Sequence, residues 1–360
     1  MSAAAARAPR FASVDALRGL TVAAMLLVND PGDWAHVYAP LLHSEWIGCT
    51  PTDLVFPFFL FIVGVSIALG IVPCVEAGAD LRGIRHAVLL RSLRIIGMGL
   101  LLNLLAFWLL DKPWFRPWGV LQRIGLCFLV AGWLATWLRP RGQWAVLVSL
   151  LAGYGLLLAG TGGTSQWSNI VSRVDTALLG HHVYAFDVAS GRGHDPEGLL
   201  STLPSIASVL LGLRAGDALR HGRTRTLLLA GIAMLVIAAL LACVQPMIKN
   251  LWTPSYALWT AGWASLALWL AHRLVDVRGW APLGRSFGVN AITAYAGSEA
   301  TVIVLMGLGW LDPLYQAAFA GWMTPRFGPY LPSLAFAVAF TAAWWCVVKG
   351  MDRRGIHLKL

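Results

Sequence analysis

Long apolar runs separated by short polar stretches organise this chain. A helix needs about 20 predominantly apolar residues to cross a bilayer. Ten stretches meet or approach that length: residues 16–30, 52–72, 88–110, 118–138, 143–160, 199–216, 226–245, 254–272, 287–309 and 331–349. Several carry Gly, Pro or polar residues, and such interruptions are tolerated where helices face one another or line a cavity. The pattern predicts an all-α polytopic membrane protein, a single bundle of about ten transmembrane helices. Residues 1–360 are expected to form one transmembrane domain, with 161–198 as an extracytoplasmic loop segment. No Pro/Ser-rich linker and no internal repeat breaks the pattern. The first apolar run, from Leu17, shows no cleavable leader.

Composition supports the membrane reading. Of the 360 residues 58% are hydrophobic and 12% charged, against roughly 25% charged in soluble domains. The net charge of +10 would suggest a nucleic-acid partner in a soluble protein. Here it follows topology. With a cytoplasmic N-terminus, 20 of the 27 basic residues fall on the cytoplasmic side and seven (Lys112, Arg116, Arg123, Arg173, Arg192, Lys249 and Arg326) on the other. Arg7, Arg10 and Lys359 belong to the cytoplasmic set. This bias places both termini in the cytoplasm and makes the charge a partner for membrane lipid, with no nucleic acid needed. The 18 tryptophans suit membrane interfaces and the bundle interior. Cys49, Cys74, Cys127, Cys243 and Cys346 have no paired spacing and read as apolar packers, without a disulfide framework or metal site.

The same topology gathers the polar motifs. "VNDPGDW" (28–34), "HSEWIGCTPTD" (43–53), "RPWGVLQR" (116–123), "GHDPEGLLST" (193–202) and "KNLWTPSY" (249–256) all fall at extracytoplasmic helix ends. Polar residues at membrane depth are costly, so convergence on one face predicts a shared polar cavity. "TPTD" looks like a helix start, with Thr50 or Thr52 as cap and Pro51 in the first turn. His43 then lies near a helix N-terminus, and Glu45 or Asp53 can hold its imidazole in one tautomer. Asn29 can offer an amide to an oxyanion or act as a helix C-cap. Arg123 follows Gln122 within an apolar run and needs a partner: Glu197, Asp195 or a phosphate. Asp195 and Glu197 can equally cap the next helix. Lys249, Trp252, Ser255 and Tyr256 read either as an interface anchor or as phosphate-binding charge with stacking surface. His181, His182 and His194 fit no metal spacing and read as loop histidines. No GxxxxGK[ST], HExxH or GxSxG in a strand–turn–helix context occurs.

Seven motifs carry a resemblance: "RFASVDALRGLTVAAMLLVNDPG", "HSEWIGCTPTDLVFPFFLFIVGVS", "RPWGVLQRIGLCF", "DPEGLLSTLPSIASVLLGLRAG", "KNLWTPSYALWTAG", "GVNAITAY" and "RRGIHLKL". In this order, from about residue 10 to the C-terminus, the chain resembles the transmembrane acetyltransferase family of heparan-α-glucosaminide N-acetyltransferase, as a bacterial relative. Animal members resemble this chain plus an N-terminal luminal segment and a preceding helix. The resemblance implies transfer of an acetyl group from cytoplasmic acetyl-CoA to an amine, by default the amino sugar of a glycan, on the far side of a bacterial inner membrane. It implies CoA or acetyl-CoA as donor substrate, no metal, an amino-sugar or glycan acceptor and a homodimer. The family's active-site histidine matches His43 and its asparagine Asn29. Arg123 with Gln122, Glu197, and Lys249, Trp252, Ser255 and Tyr256 match motifs lining the site, read as cofactor-binding.

On this reading neutral His43 is the general base, oriented by Asp53 or Glu45, with Asn29 at the oxyanion. A covalent acetyl-histidine route stays open beside direct attack. A polytopic solute or glycan transporter is the alternative. It predicts repeated halves with helices broken at the midplane.

Overall fold

The computed structural model describes residues 11–358, so Arg7, Arg10 and Lys359 of the charge pattern lie outside the described residues. The helices in chain order are α1 (Ala12–Asn29), α2 (Val55–Gly70), α3 (Val72–Glu76), α4 (Leu81–Leu109), α5 (Val120–Trp137), α6 (Pro140–Gly160) and α7 (Ile170–Leu179). Strands β1 (Ala185–Asp187) and β2 (Arg192–His194) follow as an antiparallel ribbon pairing Ala185 with His194. Then come α8 (Thr202–Arg220), α9 (Thr224–Ala242), α10 (Pro254–Ala271), α11 (Arg285–Val289), α12 (Ala291–Gly307), α13 (Leu311–Tyr315), α14 (Gly321–Phe327) and α15 (Tyr330–Arg353).

Each of the ten apolar stretches contains a helix. Seven of these helices, α1, α2 with its extensions, α4, α5, α6, α9 and α15, are long and apolar enough to cross a membrane. α8 and α10 are not among the seven. α8 carries Ser205, Ser208, Arg214 and Asp217, and α10 carries Ser255, Thr260 and Ser265. Their serines and threonines are buried, so these two helices form the interior, where polar groups are shielded from lipid. The lipid-compatible surface lies elsewhere, on exposed Leu101 of α4, Leu156 of α6 and Leu229 of α9. The segment after α12 is helical and bent back. α12 and the α13–α14 segment together are apolar enough for one span but bend by 102° at the break. Gly309 makes that turn at φ +69°, a left-handed conformation that favours glycine. Trp310, Trp322 and Phe327 stand exposed beyond it, as suits a helix lying in a membrane interface.

Local sequence explains the helix starts. Asp80 caps α4 by accepting from the backbone N–H of Arg82 (3.0 Å) and Gly83 (2.9 Å). Pro140 and Pro254 sit in the first turns of α6 and α10, where the missing N–H costs nothing. The segment 161–198 folds as α7 plus the β-ribbon rather than as open loop.

The central contact is α2 against α8, and it depends on small residues. A Cβ on Gly64 would lie 1.9 Å from the carbonyl oxygen of Val209, and one on Gly212 would lie 1.9 Å from that of Phe61. Backbone touches backbone in both places, and no rotamer can relieve the clash. Gly212→Val is therefore expected to force the helices apart and destabilise by about 1–3 kcal/mol or more, read as a lowered unfolding midpoint in detergent. An unchanged midpoint would contradict this packing.

Candidate active site

The residues from His43 to Asp53 fold back on themselves around one buried carboxylate. Asp53 lies in a 3-10 turn, Thr52–Leu54, at the mouth of α2, with its side chain wholly inaccessible. Its Oδ2 accepts from the backbone N–H of Thr50 (2.9 Å), the Thr50 hydroxyl (3.1 Å) and the backbone N–H of Ser44 (3.1 Å). Its Oδ1 lies 2.7 Å from Nδ1 of His43. Its own carbonyl oxygen receives the Tyr256 hydroxyl at 2.6 Å. An ionised Asp53 can only accept, so Nδ1 of His43 carries a proton. The histidine side chain is 43% exposed and faces outward. Glu45 is exposed, and of the two acids it is Asp53 that contacts the imidazole.

Lys249 reaches in from the α9–α10 loop. Its Nζ lies 2.9 Å from Nδ1 and 3.1 Å from Nε2 of His43, and 3.6 Å from Asp53 Oδ1. Burial pushes its ammonium below the usual lysine range, with the Asp53 and Glu197 carboxylates opposing. Histidine, aspartate and lysine thus meet from two loops about 200 residues apart in sequence.

A second cluster braces the first. Arg116, in the loop before α5, grips Asp195 through two bonds, Nε to Oδ2 at 2.8 Å and Nη2 to Oδ1 at 2.5 Å, and Glu197 Oε2 at 2.6 Å. Two carboxylates hold the Arg116 cation above its ordinary range even against the cost of burial. Burial raises Glu197, but Arg116 and Arg123 outweigh it and leave the carboxyl below its usual range. The partner expected for Arg123 therefore belongs to Arg116. Arg123 is fully buried and donates from Nη2 to the Gly198 carbonyl (3.0 Å) and the Ser201 hydroxyl (2.5 Å), while its guanidinium lies 5.2 Å from the Trp252 ring centre. Its Nε and Nη1 have no hydrogen-bond partner among the described residues.

The remaining expected residues divide clearly. Trp252 is buried, not an interface anchor. Its indole N–H donates to Ser208 Oγ at 3.0 Å, and its ring meets Phe56 and Tyr256 edge-on. It adopts φ +52°, a strained conformation for a bulky residue that tends to persist at functional sites. The Ser255 hydroxyl donates to the Pro246 carbonyl at 3.2 Å. Gln122 is buried against Gly99 and donates to the Pro117 carbonyl at 3.3 Å. Gln122, Trp252, Ser255 and Tyr256 thus have internal partners. Asn29 ends α1, which packs against the Thr52–Leu54 turn. The capping position falls on Asp30. His194 is buried rather than a loop histidine: it stands edge-on to Trp46 with ring centres 5.1 Å apart, and burial lowers it to about 4. Trp46 in turn donates to the Thr164 carbonyl at 2.7 Å, tying the 161–198 segment to the His43 loop.

Sequence reasoning missed Arg116 as a site residue. Its signal was present in the paired acids Asp195 and Glu197, which demand a cation. It also missed that Lys249 contacts His43, which nothing local indicates.

The arrangement can accept a proton at an exposed, aspartate-oriented imidazole beside a cation. The catalytic-domain model of heparan-alpha-glucosaminide N-acetyltransferase matches residues 10–245. The human heparan-alpha-glucosaminide N-acetyltransferase is 30% identical over 81% of this chain and 53% of its own length, and the mouse protein 29% identical over 81% and 54%. The chain spans about half the length of these curated relatives. His43, Asp53, Arg116, Arg123 and Glu197 all fall within the matched region, and the chain belongs to the heparan-alpha-glucosaminide N-acetyltransferase catalytic family.

Proposed function

We propose that this chain is a membrane-embedded acetyltransferase that moves an acetyl group from acetyl-CoA to an amine, by default an amino sugar of a glycan, at the extracytoplasmic side. The observation that carries the reading is the His43–Asp53 pair, 2.7 Å apart on a half-exposed imidazole with Lys249 Nζ 3.1 Å from its Nε2. The amine nitrogen attacks the thioester carbon as its proton passes to Nε2 of His43. The carbon–sulfur bond then breaks and CoA leaves as thiolate, which takes up a proton from His43 or Lys249. Lys249 supplies positive charge beside the reacting centre, and Asn29 with nearby backbone N–H groups receives the oxyanion. Arg123 adds buried positive charge, while Gln122, Glu197, Trp252, Ser255 and Tyr256 shape the donor's end of the site.

Donor delivery from the cytoplasm finds support at the opposite end of the bundle. A cavity of about 240 Å3 opens between α1, α2, α4, α5 and α12. Arg18, Arg91 and Ser66 line it together with apolar residues such as Phe59 and Ile124. Two arginines suit the phosphates of CoA, and the apolar wall suits a pantetheine arm directed toward His43. The charge bias along the sequence supports cytoplasmic termini, and the bacterial inner membrane is what the family resemblance implies.

Purified protein mixed with acetyl-CoA and glucosamine is expected to yield the N-acetylated sugar, read by mass spectrometry. CoA alone is expected to raise the unfolding midpoint, because a ligand that binds only the folded state stabilises it. Arg91→Gln should shrink that CoA shift. No shift at millimolar CoA and no acetylated amine would sink the reading and favour a transporter.

A further inference from the structure

A large cavity takes no part in the site described above. It is a groove of about 1090 Å3 between α6 on one wall and α9 on the other, floored by α8 and α10. Leu147 and Leu158 face it from α6, and Leu227, Met234 and Leu241 from α9. From Thr226 to Leu241 it follows α9 for about 22 Å at 1.5 Å per residue, most of the roughly 30 Å of a hydrocarbon core, and it continues past the helix end to Val244. Its walls are almost wholly apolar, with one charged side chain, Arg214 of α8, at the end nearest the α8–α9 turn.

Arg214 has no hydrogen bond or ion pair among the described residues, and its Nε is buried without a partner. Asp217, one turn on, acts on it through space without a hydrogen bond or ion pair. Asp217 is held by Arg220 and Arg223, each at 2.9 Å, and Arg220 also pairs with Glu76. A guanidinium at membrane depth with no acid to spare calls for an anion from outside the chain. Positive charge between helices on the cytoplasmic side is how anionic headgroups are held. The charge bias puts this turn, with Arg214, Arg220, Arg223 and Arg225, on that side.

We infer that the α6–α9 groove binds an anionic phospholipid of the cytoplasmic leaflet, with its acyl chains along the groove and its phosphate on Arg214. A transmembrane helix from a second copy would fill the apolar length but supply no anion for Arg214. The same α8 and α10 that floor the groove carry Arg123's partner loop and Tyr256 at their far ends. Occupancy therefore supports the helices on which the His43 site rests.

The test uses full-length protein, stripped of lipid in detergent, with defined mixed micelles added back. Dioleoylphosphatidylglycerol is expected to raise the unfolding midpoint more than dioleoylphosphatidylcholine at equal mole fraction, and inorganic phosphate to have no effect. Arg214→Gln should weaken apparent phosphatidylglycerol affinity about tenfold, the factor one charge-assisted hydrogen bond supplies, and so remove the difference between the two lipids. Arg214→Lys should retain part of it, and Arg225→Gln, outside the groove, all of it. Native mass spectrometry of the same variants counts retained phosphatidylglycerol and covers a variant too unstable for melting. The inference is overturned if Arg214→Gln keeps the full lipid preference, if phosphate alone reproduces the shift, or if the stripped protein is a dimer that takes up no lipid.

Discussion

Asp53→Asn is expected to cut acetyl transfer by about 10²–10⁴-fold while leaving CoA binding and the fold in place. The range is what a positioned general base contributes. The substitution preserves the size of the side chain but reverses the sense of one hydrogen bond. In the wild type, Oδ1 accepts from Nδ1 of His43 at 2.7 Å while Oδ2 takes three donors from Ser44 and Thr50. Those three donors require an oxygen, so they fix the introduced amide with its NH2 toward His43. Nδ1 must then accept, the proton moves to Nε2, and the lone pair needed to take a proton from the amine is lost. Lys249, 3.6 Å from Oδ1, also loses its compensating negative charge. Initial-rate kinetics with saturating acetyl-CoA check this. Wild-type rates in Asp53→Asn would show that the aspartate merely closes the loop.

Arg116→Met carries the second large effect, on stability. Asp195 is fully buried, and Arg116 is 24% exposed in its side chain. Removing one partner of a buried pair strands the others, and such losses run to about 3–5 kcal/mol. Here one cation bonds two carboxylates, so Arg116→Met leaves Asp195 and Glu197 without the cation they share. The strap 195–201 that accepts from Arg123 should loosen, lowering the unfolding midpoint and the transfer rate together. Adding Asp195→Asn to Arg116→Met should restore part of the loss, because partners in one network do not add. Additive losses in the double variant would contradict a shared network.

The comparison between sequence and structure turns on range. Helices were legible because their signal, the apolar run, is local, although the starts of α4 at Leu81 and α6 at Pro140 lie ahead of the runs at 88 and 143. The His43–Asp53 pair was legible too, ten residues apart within a motif that announces a helix start, although Glu45 competed for the role until burial separated them. What local pattern could not carry was partner choice across the bundle. Arg116 and Arg123 are equally cationic and seven positions apart, and only the packed loop shows that the first takes Asp195 and Glu197. Trp252 resembled an interface tryptophan because its neighbours are polar; its burial comes from Phe56, Ser208 and Tyr256, all supplied by tertiary contact. The bend after Gly307 was hidden because α13 and α14 are too short for a transmembrane pattern.

His43 is proposed to take the proton in acetyl transfer to an amine. The most direct test is the rate of N-acetylglucosamine formation from labelled acetyl-CoA and glucosamine, by purified wild type and His43→Ala side by side, with CoA-induced thermal stabilisation measured on both. The account predicts steady product from the wild type, a near-complete loss in His43→Ala and equal stabilisation by CoA. Equal product from the two proteins, with both folded and both binding CoA, would contradict it.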